Sequence, residues 1–423
     1  NMPGKINKLI NKAFGNNVYA KSISKYDGIE YQKYSLLKSI DCTERNEKYC
    51  FENGIEKVCI VNCFDTYEHR VDLLHDCFKS IGADVKVITS NYRHFEKCER
   101  RDDKEDYEYV KAIPYNRNFS VKRMQSHRLL SKKIFEKIRK ETYDLLWILV
   151  PPNSFVKDAE NFKKEHRQTK IVFDLIDLWP ETMPISKFKS LLPFRYWRKI
   201  RDNHIAIADE IVTECELYQK KLPKTIKESK IHTIYLARKL TPFVSNVNLP
   251  TNKVTLCYLG SINNIIDISA VSNLIIELKE YKPVEIHIIG DGEKREKFIK
   301  TCKLAGAEVV YHGKVYDAIE KQRIFDSCYY GLNIMKKSVF VGLTMKSIDY
   351  FEAGLPVINN IHGDTWQIIE KNGLGFNIDK NIDYSLIASK SIPSREKVRK
   401  YFEENFTVDK FEECVKNIVG KWL

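Results

Sequence analysis

Residues 57–89 read KVCIVNCFDTYEHRVDLLHDCFKSIGADVKVIT and contain one complete strand–helix–strand repeat. The apolar run 58–61 is typical of a strand buried on both faces. Apolar residues at helical spacing follow over 71–81, and Gly82 ends them. A second strand pattern covers 84–89. Because strand, helix and strand in this order form a parallel pair, the segment predicts an α/β fold with helices on both faces of a parallel sheet.

The same alternation continues to residue 213. The strands are predicted at 145–150, 170–175 and 210–213, and the helices near 120–140, 154–166 and 188–207. A polar, proline-flanked stretch at 241–250 has neither pattern and is typical of a linker between domains. A second series follows, with strands near 253–259, 284–289, 308–311, 329–334 and 355–358, and helices near 267–280, 293–305, 317–327, 345–353 and 364–372.

Two such series predict two Rossmann-like, doubly wound domains that face each other across a cleft, with ligands at the carboxyl ends of the strands. We place a basic N-terminal extension at 1–56, the first Rossmann-like domain at 57–245, the second at 246–393, and helices at 394–423 that return to the first domain. At roughly 100–200 residues per domain, a chain of 423 residues suffices for two or three domains that each bury a core.

The overall composition excludes several classes of protein. With 43% hydrophobic and 30% charged residues, the chain is neither disordered nor collagen-like. Its formal net charge of +13 suggests an anionic partner (nucleotide phosphates, nucleic acid or an anionic membrane), unless the excess forms only a solvated lysine-rich surface. The eleven cysteines include no CxxC pair, and we expect a reduced, cytosolic compartment. No apolar run approaches the ~18–20 residues of a membrane-spanning helix, and none resembles a signal peptide.

Four segments carry motifs that occur together in one family. They read DLIDLWPE at 174–181, IHIIGDGEKR at 286–295, VYHGKV at 310–315 and KSIDYFEAGLPVI at 346–358. In this order, within two Rossmann series, they resemble bacterial glycosyltransferases of the GT-B fold. The group that they resemble is the retaining GT4-type enzymes that build capsule, O-antigen and exopolysaccharide repeats. The resemblance covers about residues 57–390 and implies the GT-B architecture.

The resemblance also implies a nucleotide-sugar donor, expected to be a UDP-sugar, with no metal and no other cofactor required. It assigns the ribose hydroxyls to Asp349, which is shortened from the family's glutamate. The diphosphate needs positive charge because the leaving group gains charge in the transition state, and we assign it first to Lys346 and then to Lys336. The other predicted donor-binding residues are Gly260, Ser261, Gly290, Gly292, Lys314 and Val315. The alternative is that these residues have only structural roles. Asp349 would then be an exposed helix carboxylate, the glycines would form tight turns, 313–315 would be a strand end, and the lysines would be solvated surface charges.

Two acidic residues follow a strand of the first domain. Asp177 and Glu181 are expected to face the cleft, where they would bind a sugar hydroxyl or orient the acceptor nucleophile. The predicted catalytic residues are therefore Asp177, Glu181 and Lys346. The alternative is structural, with Asp177 capping a turn and Trp179 and Pro180 packing beside it.

Residues 187–201 read KFKSLLPFRYWRKIR and contain six basic residues, no acid and interleaved aromatic residues. This pattern suits an anionic membrane surface, where a polyprenyl-diphosphate-linked saccharide acceptor would be presented. We therefore expect a cytoplasmic protein that is peripheral on the inner face of the plasma membrane. The alternative is a helix that buries its aromatic residues and exposes its cations. A basic and aromatic patch also suits single-stranded nucleic acid, but no nucleic-acid-binding motif accompanies it, so we expect no such partner.

The sequence departs from the family pattern at three places. Val341 stands where many GT4 enzymes have the first glutamate of E-x7-E, and 261–267 (SINNIID) lacks the usual Arg and Lys. The segment 64–70 (FDTYEHR) replaces a Gly-Gly loop. Two rival functions therefore stay open. One is a catalytically silent GT-B partner of an active transferase, and the other is a sugar-nucleotide epimerase that acts on the donor alone.

Overall fold

The fold is described from a computed structural model, which covers residues 54–422 except 95, 102, 117–119, 184–191, 380–381 and 390–392. The predicted extension at 1–56 lies outside the described residues apart from its last three positions. Residues 187–191 of the predicted membrane segment 187–201 also lie outside them.

The first part of the chain forms a parallel sheet. Its strands are β1 (Lys57–Val61), β2 (Asp84–Ser90), β3 (Tyr92–Arg93), β4 (Cys98–Glu99), β5 (Tyr107–Val110), β6 (Leu145–Val150), β7 (Lys170–Leu175), β8 (Glu210–Thr213) and β9 (Ile231–Thr233). Seven of them pair in the order β5-β2-β1-β6-β7-β8-β9, all parallel. β3 and β4 form a separate antiparallel pair. β6, whose six residues are all buried, lies at the centre, as its unbroken apolar sequence predicts.

Helices connect these strands. They are α1 (Glu68–Ser80), α2 (Val121–Ile138), α3 (Ser154–Glu165), α4 (Leu192–Asp202) and the single turn α5 (Glu216–Gln219). Short 3₁₀ turns lie at Asp65–Tyr67, Ile205–Ile207 and Glu228–Lys230. The long helix predicted near 188–207 is therefore shorter within the described residues and ends before a separate 3₁₀ turn.

The second series forms its own parallel sheet. Its strands are β10 (Val254–Leu259), β11 (Val284–Ile289), β12 (Glu308–Gly313), β13 (Tyr330–Asn333), β14 (Val357–Asn359) and β15 (Gly375–Asn377). They pair in the order β12-β11-β10-β13-β14-β15. Its helices are α6 (Ile268–Lys279), α7 (Arg295–Leu304), α8 (Ala318–Asp326), α9 (Met345–Glu352), α10 (Asp364–Asn372) and α11 (Tyr384–Ala388). The predicted α/β class is confirmed, and in both sheets the order reverses beside the first strand of the series, as in doubly wound folds.

Two helices complete the chain, α12 (Arg395–Asn405) and α13 (Val408–Val419). α13 buries Phe411 and Val415 in the core of the first sheet. α12 buries Val398 and Phe402 beside α9, in the core of the second sheet. Both helices were predicted to return to the first domain, but only α13 does so. α12 packs on the second sheet, because the apolar stripes of the two helices face different sheets.

Candidate active site

Two glycine loops cross at the carboxyl ends of β10 and β11. The Gly260 N–H donates to the Ile289 carbonyl (2.9 Å), and the Gly290 N–H donates to the Gly313 carbonyl (2.6 Å). A Cβ on Gly290 would overlap the carbonyl oxygen of Gly260, and Gly260 itself has φ +121°. Only glycine suits such an approach and such a backbone conformation. The two predicted glycines therefore bring two loops together over the sheet.

The following residues continue this contact. The Ile262 N–H donates to the Asp291 carbonyl (3.0 Å), and the Lys294 N–H donates to the Ile262 carbonyl (2.9 Å). A Cβ on Gly292 would overlap that same carbonyl, whereas Ser261 is exposed at the rim. The predicted residues 260, 261, 290 and 292 thus form one backbone-lined surface.

Lys346 lies in the first turn of α9, beside this surface. Its ammonium is 4.3 Å from the centroid of the Tyr258 ring, and a Cβ placed on Gly260 would lie 3.7 Å from its Nζ. Burial lowers the pKa of Lys346 to about 8. Within the described part of the chain, no carboxylate forms an ion pair with it. An ammonium withdrawn from water without a counter-ion is a favourable site for an anion.

The other predicted donor residues lie around the same edge of the sheet. The Lys336 N–H donates to the Ile265 carbonyl (2.9 Å), which joins the loop after β13 to the loop after β10, and its side chain is exposed. Lys314 is exposed after β12, whereas Val315 is half-buried against the core of the second sheet. The structure therefore brings these loops to one edge, although it leaves the lysine heads in solvent.

Asp349 lies one turn after Lys346 in α9. Its carboxylate pairs with the Arg238 guanidinium at 3.3 Å. The next residue, Tyr350, is buried and accepts the Leu259 N–H (2.8 Å) at its hydroxyl, which fixes α9 beneath β10. A ribose bound by Asp349 would share this carboxylate with Arg238, a partner that the sequence patterns did not indicate.

Asp177 lies just beyond the end of β7. Its carboxylate accepts the Trp179 indole N–H (2.8 Å) and lies 3.5 Å from the Tyr67 hydroxyl. Burial raises the pKa of Asp177. Desolvation therefore outweighs the hydrogen bonds that Trp179, Tyr67 and the Leu178 backbone donate to this carboxylate.

Glu181, in contrast, is buried in an ion-pair network. It accepts from Arg198 Nε (2.7 Å) and from two nitrogens of Arg201 (3.0 and 3.3 Å). Guanidinium groups therefore engage both of its oxygens. The prediction that Glu181 faces the cleft as a catalytic residue is not supported, because its carboxylate neutralises the fully buried Arg201.

The same network changes the interpretation of 187–201. Arg201 is buried, and Trp197 stacks on Trp179 at 6.1 Å, so this end of α4 packs on the first domain. Arg195, Tyr196 and Lys199 remain exposed. The charge of Arg201 is therefore not available to a membrane surface, because it neutralises the buried Glu181 carboxylate.

Glu214 is a candidate functional residue that the motif comparison missed. It follows β8 directly, as Asp177 follows β7, and its backbone N–H donates to the Leu175 carbonyl (3.2 Å). Burial raises the pKa of Glu214 to about 8. Its position immediately after a predicted strand is the signal that could have identified it.

The two domains meet close to this residue. Asp364, at the start of α10, accepts the backbone N–H groups of Glu216 (2.6 Å) and Leu217 (3.0 Å) and the Tyr235 hydroxyl (2.9 Å). A carboxylate of the second domain therefore satisfies the first N–H groups of α5 in the first domain. This contact holds the start of α10 against the first domain.

None of the described helices is both long enough and apolar enough to cross a bilayer. The described residues also include no group of three or more His, Cys, Asp or Glu side chains that could hold a metal ion.

No family model matches the chain, and no curated protein matches its sequence. Solved structures do match it. It is similar to the lipopolysaccharide outer core galactosyltransferase WaaB in its apo form, with a TM-score of 0.63 and 14% identity over 87% of this chain and 100% of that chain.

Two further structures show the same likeness. Anabaena HepE in complex with UDP has a TM-score of 0.57 and 12% identity, over 86% of this chain and 100% of that one. Sucrose-phosphate synthase from Thermosynechococcus elongatus has a TM-score of 0.58 and 10% identity, over 86% and 98%. At such identities the likeness concerns the fold, and the predicted GT-B fold is confirmed.

Proposed function

We propose that this protein is a retaining glycosyltransferase that moves a sugar from a nucleotide diphosphate sugar to a saccharide acceptor. The observation that carries the proposal is Lys346, a desolvated ammonium without an ion pair beside the Gly260 backbone, at the edge of a GT-B fold where ligands bind. UDP is the proposed nucleotide, because HepE, a protein of similar fold, has been solved in complex with UDP and UDP-glucose.

The chemistry follows from where charge develops. The bond between the anomeric carbon and the phosphate oxygen breaks, the acceptor oxygen bonds to that carbon on the same face, and the acceptor proton passes to the departing diphosphate. Lys346 and the first N–H groups of α9 would stabilise the growing phosphate charge. Thr344 supports this end of the helix by accepting the Ser347 N–H (3.2 Å). Asp349 would bind the ribose hydroxyls.

The proposed acceptor is a lipid-linked saccharide of bacterial surface polysaccharide, reached from the cytoplasmic face of the membrane. Its support is the basic and aromatic sequence 187–201 and the exposed Arg195, Tyr196 and Lys199 of α4. Flotation with vesicles of phosphatidylglycerol tests this part, and vesicles of phosphatidylcholine are the control. Binding at low salt that Arg195→Glu with Lys199→Glu abolishes supports it, and failure to bind the anionic vesicles contradicts it.

Thermal unfolding with UDP, GDP, and CDP- and dTDP-linked sugars tests the donor site. A ligand at about 100 times its Kd adds roughly 2.7 kcal/mol to the free energy of unfolding, which is a measurable shift. We expect stabilisation by UDP and its sugars and its loss in Lys346→Met. Lys337→Met, which removes an exposed lysine nearby, is the matched control.

The silent GT-B partner is a second candidate, favoured by the absence of Arg and Lys from 261–267 and by Val341. It predicts no stabilisation by any nucleotide in the same experiment. Conversion of the donor without any acceptor would instead favour the epimerase.

A further inference from the structure

Glu214 and Asp177 lie side by side at one edge of the first sheet. β7 and β8 are neighbouring parallel strands, with Leu175 in register with Thr213, and each strand is followed within two residues by one of these acids. The carboxyl ends of parallel strands are where ligands bind in such sheets.

The groups that face Glu214 leave its carboxyl without a counter-ion. Arg70, on α1, is the nearby cation, but its Nε and Nη2 donate to Asp174 (2.8 and 3.0 Å) and its Nη1 donates to the Ile234 carbonyl (3.1 Å). The other titratable groups around Glu214 are Asp177 after β7, Tyr67 before α1, and Cys215 and Tyr218 of the α5 segment.

Within the described residues, the Glu214 carboxyl forms no hydrogen bond and no ion pair. Burial raises its pKa to about 8. The Glu214 side chain is half-buried, and a partly desolvated carboxyl without a partner costs free energy that a bound hydrogen-bonding ligand would recover.

Residues next to Glu214 in the sequence contact a loop of the second domain. Tyr218 stacks on Phe340 (6.1 Å between centroids, 15° between planes), which belongs to the loop between β13 and α9. In the same loop, a Cβ on Gly342 would lie 2.8 Å from the Cys215 Sγ. The residues that flank Glu214 therefore support the loop that leads into α9, the helix of Lys346. Residue 341 of this loop is a valine and supplies no carboxyl. Glu214 therefore provides a carboxyl close to this loop from the first domain.

We propose that Glu214 binds the acceptor saccharide, its carboxyl hydrogen-bonding a sugar hydroxyl beside Asp177 while the half-buried ring of Tyr67 contacts the sugar's C–H groups. This inference rests on the proposed glycosyltransferase function. A protonated carboxyl both donates and accepts, which matches a hydroxyl, and aromatic faces match the apolar side of a sugar ring. Glu214 would thus orient the acceptor toward the donor bound beside Lys346.

The test compares Glu214→Ala and Glu214→Gln with Glu216→Gln, which changes an exposed glutamate two residues away. Transfer is measured from the UDP-sugar that stabilises the protein to p-nitrophenyl β-glucoside, β-galactoside and N-acetyl-β-glucosaminide. Saturation-transfer NMR measures the binding of the same glycosides, and calorimetry measures the Kd for UDP.

We expect Glu214→Ala to lower kcat/KM for the acceptor roughly ten- to hundredfold while the Kd for UDP stays within about twofold of the wild type. Glu214→Gln, which retains the shape and can still both donate and accept, should lose less, and Glu216→Gln should match the wild type. A folding defect would change UDP binding as well, so the unchanged Kd separates the two causes.

Two results would overturn the inference while leaving the donor site intact. One is acceptor kinetics of Glu214→Ala that equal those of Glu216→Gln. The other is a wild-type protein that binds UDP but neither binds nor glycosylates any of the three glycosides. A wild-type protein that binds no nucleotide would instead overturn the proposed function itself.

Discussion

Lys346 and Glu214 occupy comparable places in the two sheets but carry opposite charges. Each lies at the carboxyl edge of its sheet, and neither forms an ion pair within the described residues. Burial lowers the pKa of Lys346 to about 8 and raises the pKa of Glu214 to about 8. The second sheet thus offers a cation suited to a diphosphate, whereas the first offers an acid suited to a hydroxyl.

Arg70 and Asp174 show what a structural pair of buried charges looks like in the same protein. Their side chains are 1% and 0% exposed and form two hydrogen bonds, and Asp174 also accepts the Trp147 indole N–H (2.9 Å). A paired buried charge has its interactions satisfied inside the fold, whereas an unpaired one at a cleft retains capacity for a ligand.

Breaking the buried ion pair between Arg70 and Asp174 should lower stability more than any other change proposed. Asp174→Asn leaves the Arg70 guanidinium without its counter-ion, so the free energy of unfolding should fall by about 3–5 kcal/mol. Urea denaturation followed by circular dichroism measures it. Asp291→Asn, which alters a half-exposed pair with Arg295, is the control and should change stability by less than about 1 kcal/mol. Equal effects of both variants would contradict this distinction.

Lys346→Met should act on ligand binding and not on the fold. Losing one charge-assisted contact of about 1.5–3 kcal/mol raises the Kd for UDP roughly 10- to 150-fold. Because the variant removes a desolvated ammonium, the free energy of unfolding should not fall at pH 7. Calorimetry with UDP and urea denaturation measure the two effects. A large loss of stability with unchanged UDP affinity would make Lys346 structural.

The pH dependence of stability should distinguish the two groups. Lys346 loses its proton in the folded state at about pH 8 but in the unfolded state at about 10.5, so the unfolded state binds more protons between these values and stability rises with pH there. Glu214 holds its proton to about pH 8 when folded and to about 4.5 when unfolded, so stability falls across that window.

Denaturation curves of the wild type, Lys346→Met and Glu214→Gln over pH 4–10 measure these slopes. Lys346→Met should lack the rise in stability above about pH 8, and Glu214→Gln should lack the fall between about pH 4.5 and pH 8. Each variant should keep the pH dependence that the other lacks. Glu216→Gln should keep both. If neither slope changes in its variant, the two side chains are not desolvated in solution.

Removing the ion pair between Arg238 and Asp349 should change stability and UDP binding least. Arg238→Gln removes a partly exposed ion pair, so stability should change by less than about 1 kcal/mol. The Kd for UDP should change only a few-fold, because Asp349 remains available to the ribose. Calorimetry checks this, and a loss comparable to that of Lys346→Met would place Arg238 itself in the donor site.

Local patterns in the sequence were sufficient to predict most of the fold. Alternating apolar runs and amphipathic helices predicted both parallel sheets, because these periodicities depend on neighbouring residues alone. The short strands β5, β9 and β15 escaped prediction, since runs of three or four residues are held by pairing with distant strands and carry little local signal. Gly260, Gly290 and Lys346 were predicted as donor-site residues because they match the motifs of the glycosyltransferases that the sequence resembles.

Which acidic side chains are available to a ligand depends on contacts that the sequence patterns do not show. Asp177 and Glu181 belong to one short motif, yet Glu181 is neutralised by Arg201 from another helix. Glu214, which belongs to none of the motifs, stands beside Asp177 because β7 and β8 are adjacent. The hydrophobic periodicity of neighbouring residues is enough to specify the two sheets, whereas burial and charge pairing depend on contacts between residues that are distant in the sequence.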